Sequence, residues 1–180
     1  MGYTGTGTSG YVETANSAGT LPSFQVGSGF SASPIFLAQL STTQDNVTGE
    51  GTSYTIVYDS IIENIGSAYN SSTGEFTAPY TGLYSFTICT TFYQIMSGNT
   101  FGSIVLSGTG ISRKLWDGNP YNVSDADGTV GTSGTTIINL TSGDTVKTVI
   151  TVSNNATKNI AVYGDLFQAT SFMGYFLVST

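Results

Sequence analysis

A chain of 180 residues is sized for one domain burying roughly 70% of its unfolded surface in a single core. Charged residues make up 8% and the net charge is −7, with Arg113, Lys114, Lys147 and Lys158 as the cations, so the surface repels phosphate backbones and nucleic acid is excluded as a partner. Histidine is absent, which removes Ser/His/Asp and Cys/His catalysis and the usual zinc sites, and no run approaches the roughly eighteen apolar residues that a membrane helix needs.

Strong helix formers are scarce, while 23 glycines accompany abundant Ser and Thr, a composition that favours strands and turns. Residues 1–28 read as a flexible Gly/Thr-rich leader, or as the end of a collagen-like stalk, since Gly2 and Gly5 start two Gly-x-y triplets before Thr8 breaks the period. Residues 29–180 read as the folded domain. Phe30 to Leu40 is the first strand, with Pro34 at a bulge or strand end. Ser41 to Ser53 is a polar loop, and Tyr54 to Tyr58 a short strand. The Ser71-Ser72-Thr73-Gly74 cluster is a turn, Glu75 to Pro79 a strand, and Tyr80-Thr81-Gly82 a tight turn. From Leu83 to Met96 runs a long strand that sets Tyr84, Phe86 and Ile88 on one face. Cys89 lies on it as a buried, inert thiol.

Strands follow at Phe101 to Leu106 and Ile111 to Trp116, then a loop from Asp117 to Thr135 rich in Gly, Asp, Asn and Ser. Thr136 to Leu140, Thr145 to Val152, Ile160 to Tyr163 and Ser171 to Val178 complete about ten strands with no helix. The count predicts an all-β, two-sheet sandwich.

The aromatic and glycine spacing Tyr58, Asn64, Tyr69, Phe76, Gly82, Tyr84, Phe86 resembles the signature of the globular heads of complement C1q and its relatives, the C1q/TNF-like jelly rolls. Tyr58 stands where Phe is usual and Ile88 where an aromatic is usual; both stay apolar. The segment from Ile138 to Val146, with Leu140 and Gly143-Asp144, is similar to the family's Leu-x-Leu, Gly-Asp-x-Val segment. Ser171 to Leu177, with Phe172 and Gly174, is similar to its closing strand. The resemblance implies a jelly roll that assembles as a homotrimer through one of its sheets. The load of 11 Tyr and 10 Phe agrees, with some aromatics expected at subunit contacts.

Paired carboxylates among Asp59, Glu63, Asp117, Asp125 and Asp127 are chance neighbours on an acidic surface, and no enzyme activity is expected. Asn122 to Gly128 has a calcium-loop look but fails the EF-hand spacing. The resemblance, in which some relatives hold calcium near the trimer apex, leaves calcium at Asp125 and Asp127 open beside a plain acidic turn. The candidate ligand surface is Arg113, Trp116, Asp117, Asn119 and Tyr121, where aromatic and cationic groups flank the long loop; the other reading of Trp116 is a core residue at a strand end. The function expected is a trimeric binding head on an extracellular, cell or virion surface, recognising a cell-surface glycan or protein without membrane insertion. The alternative is a trimerisation module that registers a collagen-like stalk.

Overall fold

The computed structural model describes residues 11–14, 23–26, 33–165 and 167–180. The chain divides into two units, residues 1–33 and 34–180. In the first, β1 (Tyr11–Thr14) and β2 (Ser23–Val26) pair antiparallel, with Tyr11 opposite Val26. The remainder of the expected leader, and with it the stalk reading, lies outside the described residues.

Among the described residues the second unit carries thirteen strands and one 3-10 turn, Tyr121–Val123. One sheet runs in the order β11 (Ile111–Gly118), β10 (Phe101–Gly108), β13 (Thr145–Ser153), β8 (Glu75–Thr77) and β7 (Tyr69–Asn70), with β5 (Ser53–Thr55) also on β13. The other runs β4 (Gln44–Thr48), β14 (Ile160–Val162), β9 (Gly82–Tyr93), β15 (Ser171–Ser179), β3 (Ile35–Gln39) and β6 (Ser60–Ile65), with β12 (Val130–Leu140) on the free side of β9. Every pairing is antiparallel.

Strict alternation builds the core. Tyr84, Phe86, Ile88 and Phe92 from β9 point inward against Val146, Thr148, Ile150 and Val152 from β13, all buried. The signature residues meet there around Phe36, whose ring lies 5.0 Å from Tyr69, 5.2 Å from Phe76 and 4.8 Å from Phe172. Such ring pairs contribute about 0.5–1.5 kcal/mol each beyond the area they bury. The polar parts of the signature close loops. Asn64 Nδ2 donates to the Tyr69 carbonyl at 2.8 Å while its Oδ1 accepts from the Tyr69 amide at 3.1 Å. The Tyr84 hydroxyl donates to the Tyr80 carbonyl at 2.7 Å and pins the turn before β9.

Two glycines of the resemblance are steric requirements. A Cβ on Gly174 would stand 2.6 Å from the rings of both Phe36 and Phe86, and one on Gly82 would strike the Val178 carbonyl. Leu140 and Phe172 are fully buried.

Three expectations change. The loop from Asp117 to Thr135 is shorter, because Val130 to Thr135 pairs with β9 as the first half of β12. The polar stretch from Ser41 to Ser53 contains β4, which pairs with β14. Cys89, expected as a buried thiol, is only partly buried on β9.

Candidate functional site

The sequence-predicted ligand surface divides along β11. A register shift opposite Ile104/Val105 makes Leu115 an extra residue, so Lys114 and Asp117 face outward while Arg113, opposite Leu106, and Trp116, opposite Ile104, lie on the inward side. Trp116 is half-buried, with its ring 5.9 Å from Phe92 and over Gly102, where a Cβ would lie 2.9 Å from the indole. It packs against the edge of the core near the end of β11 and keeps part of its surface exposed. Asp117 takes the Lys114 ammonium at 2.8 Å. Arg113 sits by the β10–β11 turn and Asn119 and Tyr121 lie beyond the opposite end of the strand, so the five residues do not form one site.

The loop after β11 makes its own depression of about 380 Å³, lined by Ile95, Tyr121, Asn122, Ser124, Asp125 and Gly128 among others. Tyr121 opens the 3-10 turn and is 47% exposed. Asn119 Oδ1 accepts from the Asn122 amide at 3.3 Å, and Ser124 Oγ donates to the Tyr121 carbonyl at 3.0 Å. Asp125 Oδ1 accepts from the amides of Asp127 at 3.0 Å and Thr129 at 2.8 Å, so this carboxylate braces the loop. Among the described residues no three Asp, Glu, His or Cys side chains gather in one place.

A feature that residue spacing did not single out is the outer face of the sheet that contains β9. Ile65 on β6 stands opposite Ile35 on β3, Ile35 opposite Tyr175 on β15, Tyr175 opposite Ser85 on β9, and Ser85 opposite Ile137 on β12. This row crosses five strands, about 19 Å at 4.8 Å per strand. Its Ile65, Ile35, Tyr175 and Ile137 are all exposed. The next row holds Glu63, Leu37, Met173, Thr87 and Thr135. Beyond them Tyr93 and Tyr163, with ring centroids 6.4 Å apart, line an apolar hollow. The outer face of the opposite sheet is polar, with Lys147 paired to Glu75 at 2.9 Å and the Lys114–Asp117 pair. The sequence signal of the apolar face is a few isoleucines spread over β3, β6 and β12, outweighed along the chain by aromatics, seven of which are fully buried in the core.

No helix among the described residues is long and apolar enough to cross a membrane. A family model for the C1q domain matches residues 35–177. No curated protein matches the sequence. The fold is similar to the globular domain of zebrafish complement 1qA protein, at 16% identity and TM-score 0.55, covering 82% of this chain and 99% of that one. It is similar also to murine APRIL, at 12% identity and TM-score 0.51, covering 81% of this chain and 99% of that one. With the signature clustered around Phe36, the two antiparallel sheets in place and 35–177 matched, the chain belongs to the C1q-domain family.

Proposed function

We propose that this chain is a homotrimeric head whose protomers meet through the apolar face of the β9 sheet and whose outward loops bind a ligand on a cell surface, a glycan or a protein. C1q/TNF-like domains form trimeric, ligand-binding heads and are typically extracellular, non-enzymatic modules. The observation that carries the reading is the exposed row Ile65–Ile35–Tyr175, with Ile137 across the buried Ser85, since an exposed apolar strip on the outer face of one sheet, where the outer face of the other is polar, marks an association surface. Three copies present three sets of loops, and weak single contacts then add as avidity. The position proposed for the head is the tip of a fibre on a cell or virion.

The depression at Tyr121 supports the binding half of the reading: an exposed aromatic ring stands beside amide and hydroxyl groups on a braced loop. The strength of the apolar strip also suits the alternative, a module that starts three stalk chains in register. Cell attachment by fluorescently labelled protein tests the choice. Tyr121→Ala is expected to leave the oligomer intact and reduce attachment by about tenfold or more. Attachment that is absent from the unaltered protein, together with a stalk that unfolds when the head is removed, would favour the registering role instead.

A further inference from the structure

We infer that the depression where β11 meets β12 is a subsite for a sugar bearing a single carboxylate, with Arg113 as the counter-ion. The inference rests on the reading of the chain as a ligand-binding head and narrows its ligand.

The cations of this chain are few and almost all committed. Lys114 pairs with Asp117 at 2.8 Å, Lys147 with Glu75 at 2.9 Å, and Lys158 lies 4.0 Å from Glu50. Among the described residues Arg113 alone of the four cations makes no ion pair, although the chain has 11 carboxylates to offer. The unpaired guanidinium belongs to a residue that lines a depression of about 400 Å³ with Gly110, Ile111, Ser112, Ile138 and Asn139.

That volume lies at the small end of ligand sites and accommodates one or two sugar rings. A guanidinium offers a planar fork that takes both oxygens of a carboxylate at once, which an ammonium cannot do. The partly exposed Ile111 gives the lining apolar surface for the C–H face of a pyranose, with the buried Ile138 beneath it. Ser112 supplies a hydroxyl, and Asn139, whose Oδ1 accepts from Thr180 Oγ1 at 3.1 Å, retains an unbonded Nδ2 as donor. A Cβ built on Gly110 meets nothing within 4 Å, so the turn at the rim leaves the approach open. The net charge of −7 sets the number of charges on the ligand: a polyanion is repelled by the surrounding carboxylates, whereas one carboxylate is matched by one arginine.

The test titrates the isotope-labelled full chain with sialyllactose and galacturonic acid, and with lactose and galactose as neutral counterparts, reading backbone amides. The acids are expected to shift the amides of Gly110, Ser112, Arg113 and Asn139, and the neutral sugars to bind about tenfold or more weakly. Arg113→Gln should abolish the shifts and Arg113→Lys retain part of them, with unchanged spectra elsewhere showing that both variants fold. Acids that shift none of these amides, neutral sugars that bind as well, or an Arg113→Gln variant that responds like the parent would each overturn the inference. A peptide C-terminal carboxylate that shifts the same amides while both acidic sugars do not would overturn the sugar assignment. Cell attachment with no response to the acids would sink this subsite alone, whereas acid-sugar binding without attachment would uphold the subsite and sink the head reading.

Discussion

At the scale of single residues, the core tolerates one conspicuous imperfection. The Tyr58 hydroxyl is buried beside Thr148 and Thr90, and none of the three hydroxyls makes a hydrogen bond of acceptable geometry. An unsatisfied buried hydroxyl costs about 1–3 kcal/mol, so Tyr58→Phe, which restores the residue usual at this signature position, is expected to raise stability by about 1 kcal/mol in urea titration; a loss of that size would show that the hydroxyl is paired. Tyrosine burial also sets the alkaline limit. Burial pushes the phenols of Tyr58, Tyr69, Tyr54 and Tyr84 above their ordinary value of 10.0. The folded chain therefore keeps protons that the unfolded chain releases, and the stability these groups give is full below pH 10.0 and falls as pH rises through that value. Phenolate absorbance is expected to appear together with loss of the strand signal in circular dichroism; ionisation of these tyrosines in a chain that stays folded would contradict it. Asp59 acts in the acid range. Partial burial opposes its charge, but the Ser41 hydroxyl and amide hold its carboxyl below the ordinary value of 3.8, so its contribution is lost only as pH falls below that value.

At the scale of elements, legibility followed side-chain contrast. β9 and β13 were readable because apolar and polar residues alternate along them, β15 because its apolar run resembles the family's closing strand, and Pro34, expected at a bulge or strand end, stands just before β3. The first half of β12, Val130 to Thr135, reads as a loop because Gly, Thr and Ser give no contrast; its strand state comes from pairing with β9, which no local pattern records. β4, QDNVT, was missed for the same reason. The candidate site was less legible than the fold. Arg113 and Tyr121 are close in sequence, but an extended strand carries Arg113 about 13 Å from Asp117 alone at about 3.3 Å per residue, and sequence proximity thus misled. Strand packing makes a sharper prediction at Gly174, where the two flanking rings cannot yield without disturbing the whole cluster. Gly174→Ala is expected to lower stability by about 1–3 kcal/mol, measured by denaturant midpoint, and a neutral result would mean that Phe36 and Phe86 repack freely.

At the scale of the whole molecule, the two sheets divide the labour. Their inner faces hold the aromatic core that makes the fold, the outer face of one is polar, and the outer face of the other carries the isoleucine strip. If the strip joins three protomers, placing a carboxylate on it should separate them without unfolding the sandwich, because Ile35 and Ile137 point away from the core. Ile35→Glu with Ile137→Glu is expected to give folded monomers, seen as retained strand signal with a smaller sedimentation coefficient. Monomers that have also unfolded would mean that the sandwich depends on assembly. The most direct measurement is the solution mass of the unaltered chain by light scattering at micromolar concentration. The account predicts about three times the 18.8 kDa of one chain. A mass of one chain would contradict it, leaving the jelly roll in place and the isoleucine strip without a partner.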